Sequence, residues 1–206
     1  MDIEAAAWPR RAAGLARLPA VHRLALTLAA AALAAGCGAE RVEAPDVKTP
    51  ATAGPRADVA FPKAGLTFSA PRAWRFIPGE APLVASTSSG LATIAVWRYP
   101  RTEPLPRDDA ALETAQEALL GAIRTRDPRF EERGTRRVEV DGAPGIEVVG
   151  DQRVSGRPRR VRSTHVYAKE AEYVVDAYAP PEQFPAVDRA VFRPLLRSLK
   201  IDPPRP

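Results

Sequence analysis

The sequence predicts an α+β domain in which one antiparallel sheet carries helices packed on it. Three observations predict this. Apolar residues alternate with period two between Leu66 and Tyr99, then step by three and four between Leu112 and Ile123. From Phe130 they alternate again through several turn signals, before a last helical run that begins at Phe184. A chain whose strands come in successive hairpins, with helices between the runs, builds an antiparallel sheet and sets its helices on it.

Leu66 and Phe68 alternate with Thr67 and Ser69 as a first strand, which Pro71 ends. Trp74 begins another strand with Phe76, and Pro78-Gly79 turns the chain. Leu83 to Thr87 and Leu91 to Tyr99 form a hairpin linked by Ser88-Ser89-Gly90. The second of these strands has Leu91, Thr93, Ala95, Trp97 and Tyr99 on one face and Ala92, Ile94 and Val96 on the other, so both faces are at least partly covered. Asp108 or Asp109 caps a helix whose stripe is Leu112, Ala115, Leu119, Ala122 and Ile123, and Asp127-Pro128 ends it.

A meander follows. Val138 and Val140 alternate with Arg137 and Glu139, and Asp141-Gly142 turns into a strand with Ile146, Val148 and Val154 on one face. Ser155-Gly156 turns into RRVRSTHVYA, and Glu170-Ala171 turns into EYVVDAYAP. Phe184, Val187, Val191, Leu195 and Leu199 make the closing helix, which Pro194 should kink or split.

Before this domain lies a different kind of sequence. From Leu24 to Ala35 there is one hydroxyl, Thr27, and no charge, and Arg10, Arg11, Arg17 and Arg23 precede it. A membrane span needs roughly 20 apolar residues, so this run suits the core of a signal peptide. It ends at Ala34-Ala35-Gly36 followed by Cys37, the single cysteine of the chain. The stretch Leu33-Ala34-Ala35-Gly36-Cys37 resembles a bacterial lipoprotein signal, with its leucine one position further back than usual. The resemblance implies that residues 1–36 are removed and that Cys37 carries a diacylglycerol. Two acyl chains suffice for stable anchoring where one is marginal. The alternative is an ordinary secretory leader beside a chance cysteine. Two translation starts stay open, Met1 and a compact leader beginning near Val21.

Residues 37–62 are rich in proline, alanine and charge with no sustained period, and are expected to form a flexible tether reaching about 25–30 Å. Residues 63–201 form the single domain. The leader removes four of the 30 basic and two of the 25 acidic residues, leaving a net charge of +3. Export and this near-balance argue against a nucleic-acid partner. With one cysteine no internal disulfide exists, so the domain must hold itself by its core.

The pattern Gly65-Leu66-x-Phe68-x-x-Pro71-x-x-Trp74, the hairpin, helix and meander after it, and the closing segment from Phe192 to Ile201 resemble the PsbP-like superfamily. They are particularly similar to small actinobacterial envelope lipoproteins of the LpqN type. The resemblance covers about residues 61 to 201. It implies an α/β/α sandwich around an antiparallel sheet and binding or accessory work at the outer face of the cell membrane. It carries over no catalytic residue.

Candidate chemistry is sparse. His165 is the only histidine after the leader, in phase with Val161, Ser163 and Tyr167, and is expected to be a satisfied sheet residue. One histidine and a lipidated cysteine make no zinc set. Neither STSSG at 86–90 nor VSG at 154–156 is a nucleophile elbow, so no enzyme, metal or cofactor is expected.

Arg153, Arg157, Arg159, Arg160 and Arg162 surround one hairpin turn, with Arg136 and Arg137 on a neighbouring strand. They form either a docking patch for anionic lipids or envelope polymers, or a solvated hairpin that protects a sheet edge. Glu139, Glu147 and Asp151 lie near enough to neutralise part of them, which favours the second reading. Trp74, Trp97, Tyr99, Tyr167, Tyr173 and Tyr178 either line a ligand groove or pack the sheet on its helices. The expected partners are therefore the membrane, through Cys37, and an envelope protein or lipid. The alternative function is a carrier of a lipid or small hydrophobe in a groove between sheet and helix.

Overall fold

The computed structural model describes residues 47–205, so the leader, Cys37 and the start of the tether lie outside the described residues. The chain runs through β1 (Arg56–Phe61), a 3-10 turn (Pro62–Ala64), β2 (Leu66–Pro71), β3 (Ile77–Pro78), β4 (Leu83–Ser89) and β5 (Ala92–Pro100). Helix α1 (Asp109–Arg126) precedes the long strands β6 (Glu131–Val140), β7 (Ala143–Val154), β8 (Arg157–Ala168) and β9 (Ala171–Ala179). The end is α2 (Phe184–Val187), a π-helical turn (Asp188–Phe192), α3 (Arg193–Ser198) and β10 (Lys200–Ile201).

The strands pair antiparallel in two sheets, one of order β3-β4-β5-β9-β8-β7-β6 and one of order β1-β2-β10. The sequence reading had one sheet. It erred because both partners of β2 lie in segments read otherwise. β1 occupies the end of the expected tether, and β10 occupies the expected last helical turn. The tether expectation is thus corrected for residues 56–62. Val59 and Phe61 are half-buried and pack against the core, while the pairing from Arg56↔Pro71 to Phe61↔Leu66 satisfies the backbone.

Contact with the domain begins earlier still. Leu91 N–H donates to the Lys48 carbonyl at 3.0 Å. Ala51 N–H donates to Ser89 Oγ at 2.9 Å, and Trp74 Nε1–H donates to the Ala51 carbonyl at 2.7 Å. Trp74 therefore does not open a strand. It lies in the bend after β2, 2% exposed, with its ring edge-on to Phe192 at 6.2 Å.

The core lies between one face of the seven-stranded sheet and a layer made of the small sheet and the α2–α3 passage. Ile94, Val96, Tyr173 and Val175 meet Leu66, Phe68, Phe192, Leu195 and Leu199 there. Each such aliphatic or aromatic side chain contributes about 1.5–3 kcal/mol on burial. Helix α1 covers part of the opposite face through Leu112 and Ile123 on Ile146, Val148 and Tyr167.

Pro194 has the expected effect in an unexpected form. Lacking an N–H, it cannot bond the Ala190 carbonyl, and the turn before it widens so that Arg193 N–H reaches Asp188 O. Asp188 itself is 5% exposed and turned inward. The buried Arg162 of β8 grips it with two bonds, Nε to Oδ1 at 2.7 Å and Nη2 to Oδ2 at 2.8 Å. Arg162 Nη1 also pairs with Glu147 of β7. Outer arginines complete the set. Arg136 Nε donates to Glu147 at 2.8 Å, and Arg193 Nε donates to Asp188 at 2.9 Å.

Removing one member of a buried charge set leaves its partners uncompensated, typically at a cost of about 3–5 kcal/mol. Arg162→Met should lower the stability by about 3 kcal/mol, the low end of that range, because Arg136 and Arg193 stay on the two carboxylates. Equilibrium urea unfolding reads it, and a loss below about 1 kcal/mol would show that the set does not hold the layers together.

Candidate functional site

Asp108 Oδ1 caps α1 by accepting from Ala111 N–H at 2.8 Å, and Arg137 Nη1 ties Asp109 to β6 at 2.7 Å. These bonds fix the start of the helix over β6 and β7. Toward its far end only Ile123 is buried against the sheet. Between Leu119, Ile123 and Arg126 of that end and strands β5, β9 and β8 runs a groove of about 550 Å³.

The β8–β9 register decides what floors the groove. The hairpin turns through Lys169 and Glu170, both at positive φ, with Ala168 opposite Ala171. Ser163 then lies opposite Asp176 and Tyr167 opposite Glu172, all on the α1 face, with His165 diagonal to both acids. His165 Nδ1 meets Glu172 Oε1 at 2.7 Å, and its Nε2 meets Ser163 Oγ at 3.0 Å. The ring is satisfied and its side chain 12% exposed, as the sequence reading expected. Ser163 Oγ–H donates to Asp176 Oδ1 at 2.6 Å, and Arg101 Nη2 donates to Glu172 Oε2.

The result is a continuous chain Arg101–Glu172–His165–Ser163–Asp176 along the floor. Its proton order is informative. Ser163 has one proton, and the carboxylate of Asp176 takes it, while His165 Nε2 lies 3.0 Å from the same hydroxyl oxygen. Activation of a serine needs the reverse, with the hydroxyl donating to the imidazole. The arrangement presents hydrogen-bonding groups held in place by each other.

Burial pushes the Glu172 carboxyl up, but hydrogen bonds from His165 and Arg101 outweigh it and hold the group below its ordinary value. Burial pushes the Tyr167 hydroxyl up to about 12, and burial likewise raises Tyr178 and Tyr99. All three remain neutral donors at physiological pH. Tyr99 and Tyr178 line the groove, and Trp97 stacks beside Tyr99 with ring centroids 6.4 Å apart. Trp74 and Tyr173, the other aromatics named from sequence, are core residues on the opposite side.

The expected arginine patch is divided by the structure. Arg162 is buried in the interlayer network, and Arg160 is held bidentate by Asp151 at 2.7 and 2.9 Å. Arg153 and Arg157 are exposed around the hairpin end and Arg159 is half-buried beside them, and Arg153 closes onto the Gly156 carbonyl at 2.6 Å. Glu147 and Asp151 neutralise as expected, whereas Glu139 is exposed and joins none of the arginine pairs described.

Sequence reading missed Glu172, Asp176 and Arg101. A signal existed. Placing the turn one residue earlier, at Lys169-Glu170, would have set Ser163 against Asp176 and brought Glu172 to His165. Arg101 had no local signal, since it comes in from beyond β5.

Because Glu172 is depressed in the folded state, its contribution to stability is complete above the unfolded carboxylate range. That contribution is lost as pH falls through the lower folded value. Wild type and Glu172→Gln should therefore differ most in urea midpoint near neutral pH and converge below about pH 4. A difference that stays constant down to pH 3 would contradict the Arg101–Glu172–His165 linkage.

No family model matches the chain, and no curated protein matches it significantly. Solved structures do match. PsbP (CyanoP) from Synechocystis sp. PCC 6803 aligns at a TM-score of 0.56 with 10% identity, over 73% of this chain and 94% of its own. LpqN, described as involved in cell envelope biogenesis of Mycobacterium tuberculosis, aligns at 0.51 with 17% identity, over 72% of this chain and 91% of its own. At such identities the likeness speaks for the fold alone, and that fold is the PsbP-like α+β sandwich.

Proposed function

We propose that the chain is an extracytoplasmic lipoprotein, anchored through a diacylglycerol on Cys37, that serves as a binding or accessory module at the outer face of the cell membrane. The observation that carries the binding role is the groove under α1. It is large enough for a small ligand or a partner's loop, and its floor displays ordered polar groups. The lipoprotein-like signal supports the anchor, and the fold shared with an envelope-biogenesis protein supports the setting.

The carrier reading put a lipid or hydrophobe in a groove between sheet and helix, which is where this groove lies. Its floor argues for a polar occupant instead. Burying Glu172, Asp176 and His165 under an acyl chain would strip their remaining water without giving them partners. The same polar chain, with Ser163 donating to Asp176, supports binding over catalysis.

Two experiments test this. Cys37→Ser should release the protein from membranes or leave an unprocessed precursor, and unchanged retention with normal processing would refute the anchor. A photoreactive residue in place of the exposed Ala122, on the groove rim, should capture a partner in intact membranes and lose it when His165→Ala is added. Equal capture from position Asp58, on β1, would remove the groove from the proposal. Stoichiometric lipid in solvent extracts of Cys37→Ser protein would favour the carrier.

A further inference from the structure

The other face of the seven-stranded sheet holds a second concavity, of about 770 Å³, between β6 and the α2–α3 passage. Its lining is dominated by guanidinium groups. Arg133 and Arg136 stand on the β6 wall, Arg189 and Arg193 on the helical wall, and Arg160 and Arg162 at the floor. The acids Glu147 and Asp188 are in the lining, and Asp151 sits behind it on Arg133 and Arg160.

These acids do not fill the cleft. Their side chains are 5%, 7% and 18% exposed, and each lies beneath the arginines it holds. Arg136 and Arg193 are gripped through Nε, and their side chains are 66% and 58% exposed. Among the described residues nothing pairs with the Nη groups of these two, nor with Arg189. A bulge between Glu132 and Gly134 sets Arg133 out of the regular β6 register, where Asp151 holds it by Nε at 3.0 Å and Nη2 at 2.8 Å, with Glu131 3.5 Å from the same Nη2. The carboxylates thus fix Arg136 and Arg193 by their stems and leave the outer N–H edges of these two free. Arginine used in this way is preorganised for oxyanions, because less rotamer freedom is lost when the anion binds.

We propose that this cleft binds an anion bearing two or more phosphate groups, bridged between the β6 wall and the helical wall over Arg160 and Arg162. Six guanidiniums against four carboxylates, Glu131 on Arg133 included, leave an excess positive charge that one monovalent carboxylate would not balance. The cleft is independent of the groove under α1, since β8 sends Arg160 and Arg162 to one face and Ser163 and His165 to the other. It also differs from the arginine patch read from sequence, because Arg153, Arg157 and Arg159 lie outside its lining.

The test is titration calorimetry of the full-length protein in uncharged detergent with sodium pyrophosphate at about 0.15 M salt. Binding with a Kd below about 1 mM at one site is expected. Arg189→Gln, which breaks no ion pair, and Arg136→Gln should each weaken it roughly tenfold, while Arg157→Gln and Arg159→Gln leave it unchanged. Urea midpoints of each variant verify folding. Failure to bind pyrophosphate, or equal weakening by the Arg157 and Arg159 variants, would overturn the proposal. So would binding only to detergent micelles doped with phosphatidylglycerol, since the arginines would then read a lipid surface.

Discussion

Arg162 is a charge placed where the hydrophobic core should be, and much of the architecture answers to it. It is 4% exposed, and an unpaired guanidinium there would not be tolerated. Glu147 comes from the adjacent strand β7, and Asp188 comes from the π-helical turn of the C-terminal passage. The bidentate bond to Asp188 is directional as well as strong. It fixes where the helical layer sits on the sheet at the end of the core where apolar contacts thin out. The widened turn before Pro194 carries Asp188, so a residue that would only break a helix elsewhere stands next to the group that docks this one.

The same alternation that sends Arg162 inward sends its neighbours outward. Along β8, Arg160, Arg162 and Thr164 face the core side, and Ser163, His165 and Tyr167 face α1. One strand thereby supplies the floor of two different concavities. On the α1 side the polar residues pair with one another and with Arg101, leaving an ordered floor in a groove that the helix only half covers. On the other side the acids are consumed by arginines whose outer edges remain available. Arg101 enters the first from beyond β5, and Arg189 and Arg193 stand on the helical wall of the second. The floors of both rest on long paired strands, which is how a small domain holds side chains in fixed relation without disulfides.

The N-terminal approach to the domain shows a different economy. Residues 48–51 lie against the β4–β5 turn and the Trp74 ring, and β1 then closes the edge of β2. Residues 48–51 and 56–61, expected from composition to lie in the tether, thus belong to the folded domain.

The α+β class, α1 with its Asp108 cap, the two hairpins of the meander and the satisfied state of His165 were all legible in the sequence. Each rests on local rules of period, cap and turn that neighbouring residues enforce. The second sheet was not legible. RADVAF is short and follows a proline-rich stretch, and Lys200-Ile201 continues a helical period, so only pairing across the fold with Leu66 to Pro71 makes strands of them. Nor could the sequence divide five clustered arginines into one buried, one clamped and three around the hairpin end, or recruit Arg133, Arg136, Arg189 and Arg193 into a shared cleft. Spacing along a strand fixes which face a side chain takes. What waits on that face, a buried carboxylate from another layer or open water, is set by contacts between residues far apart in the chain.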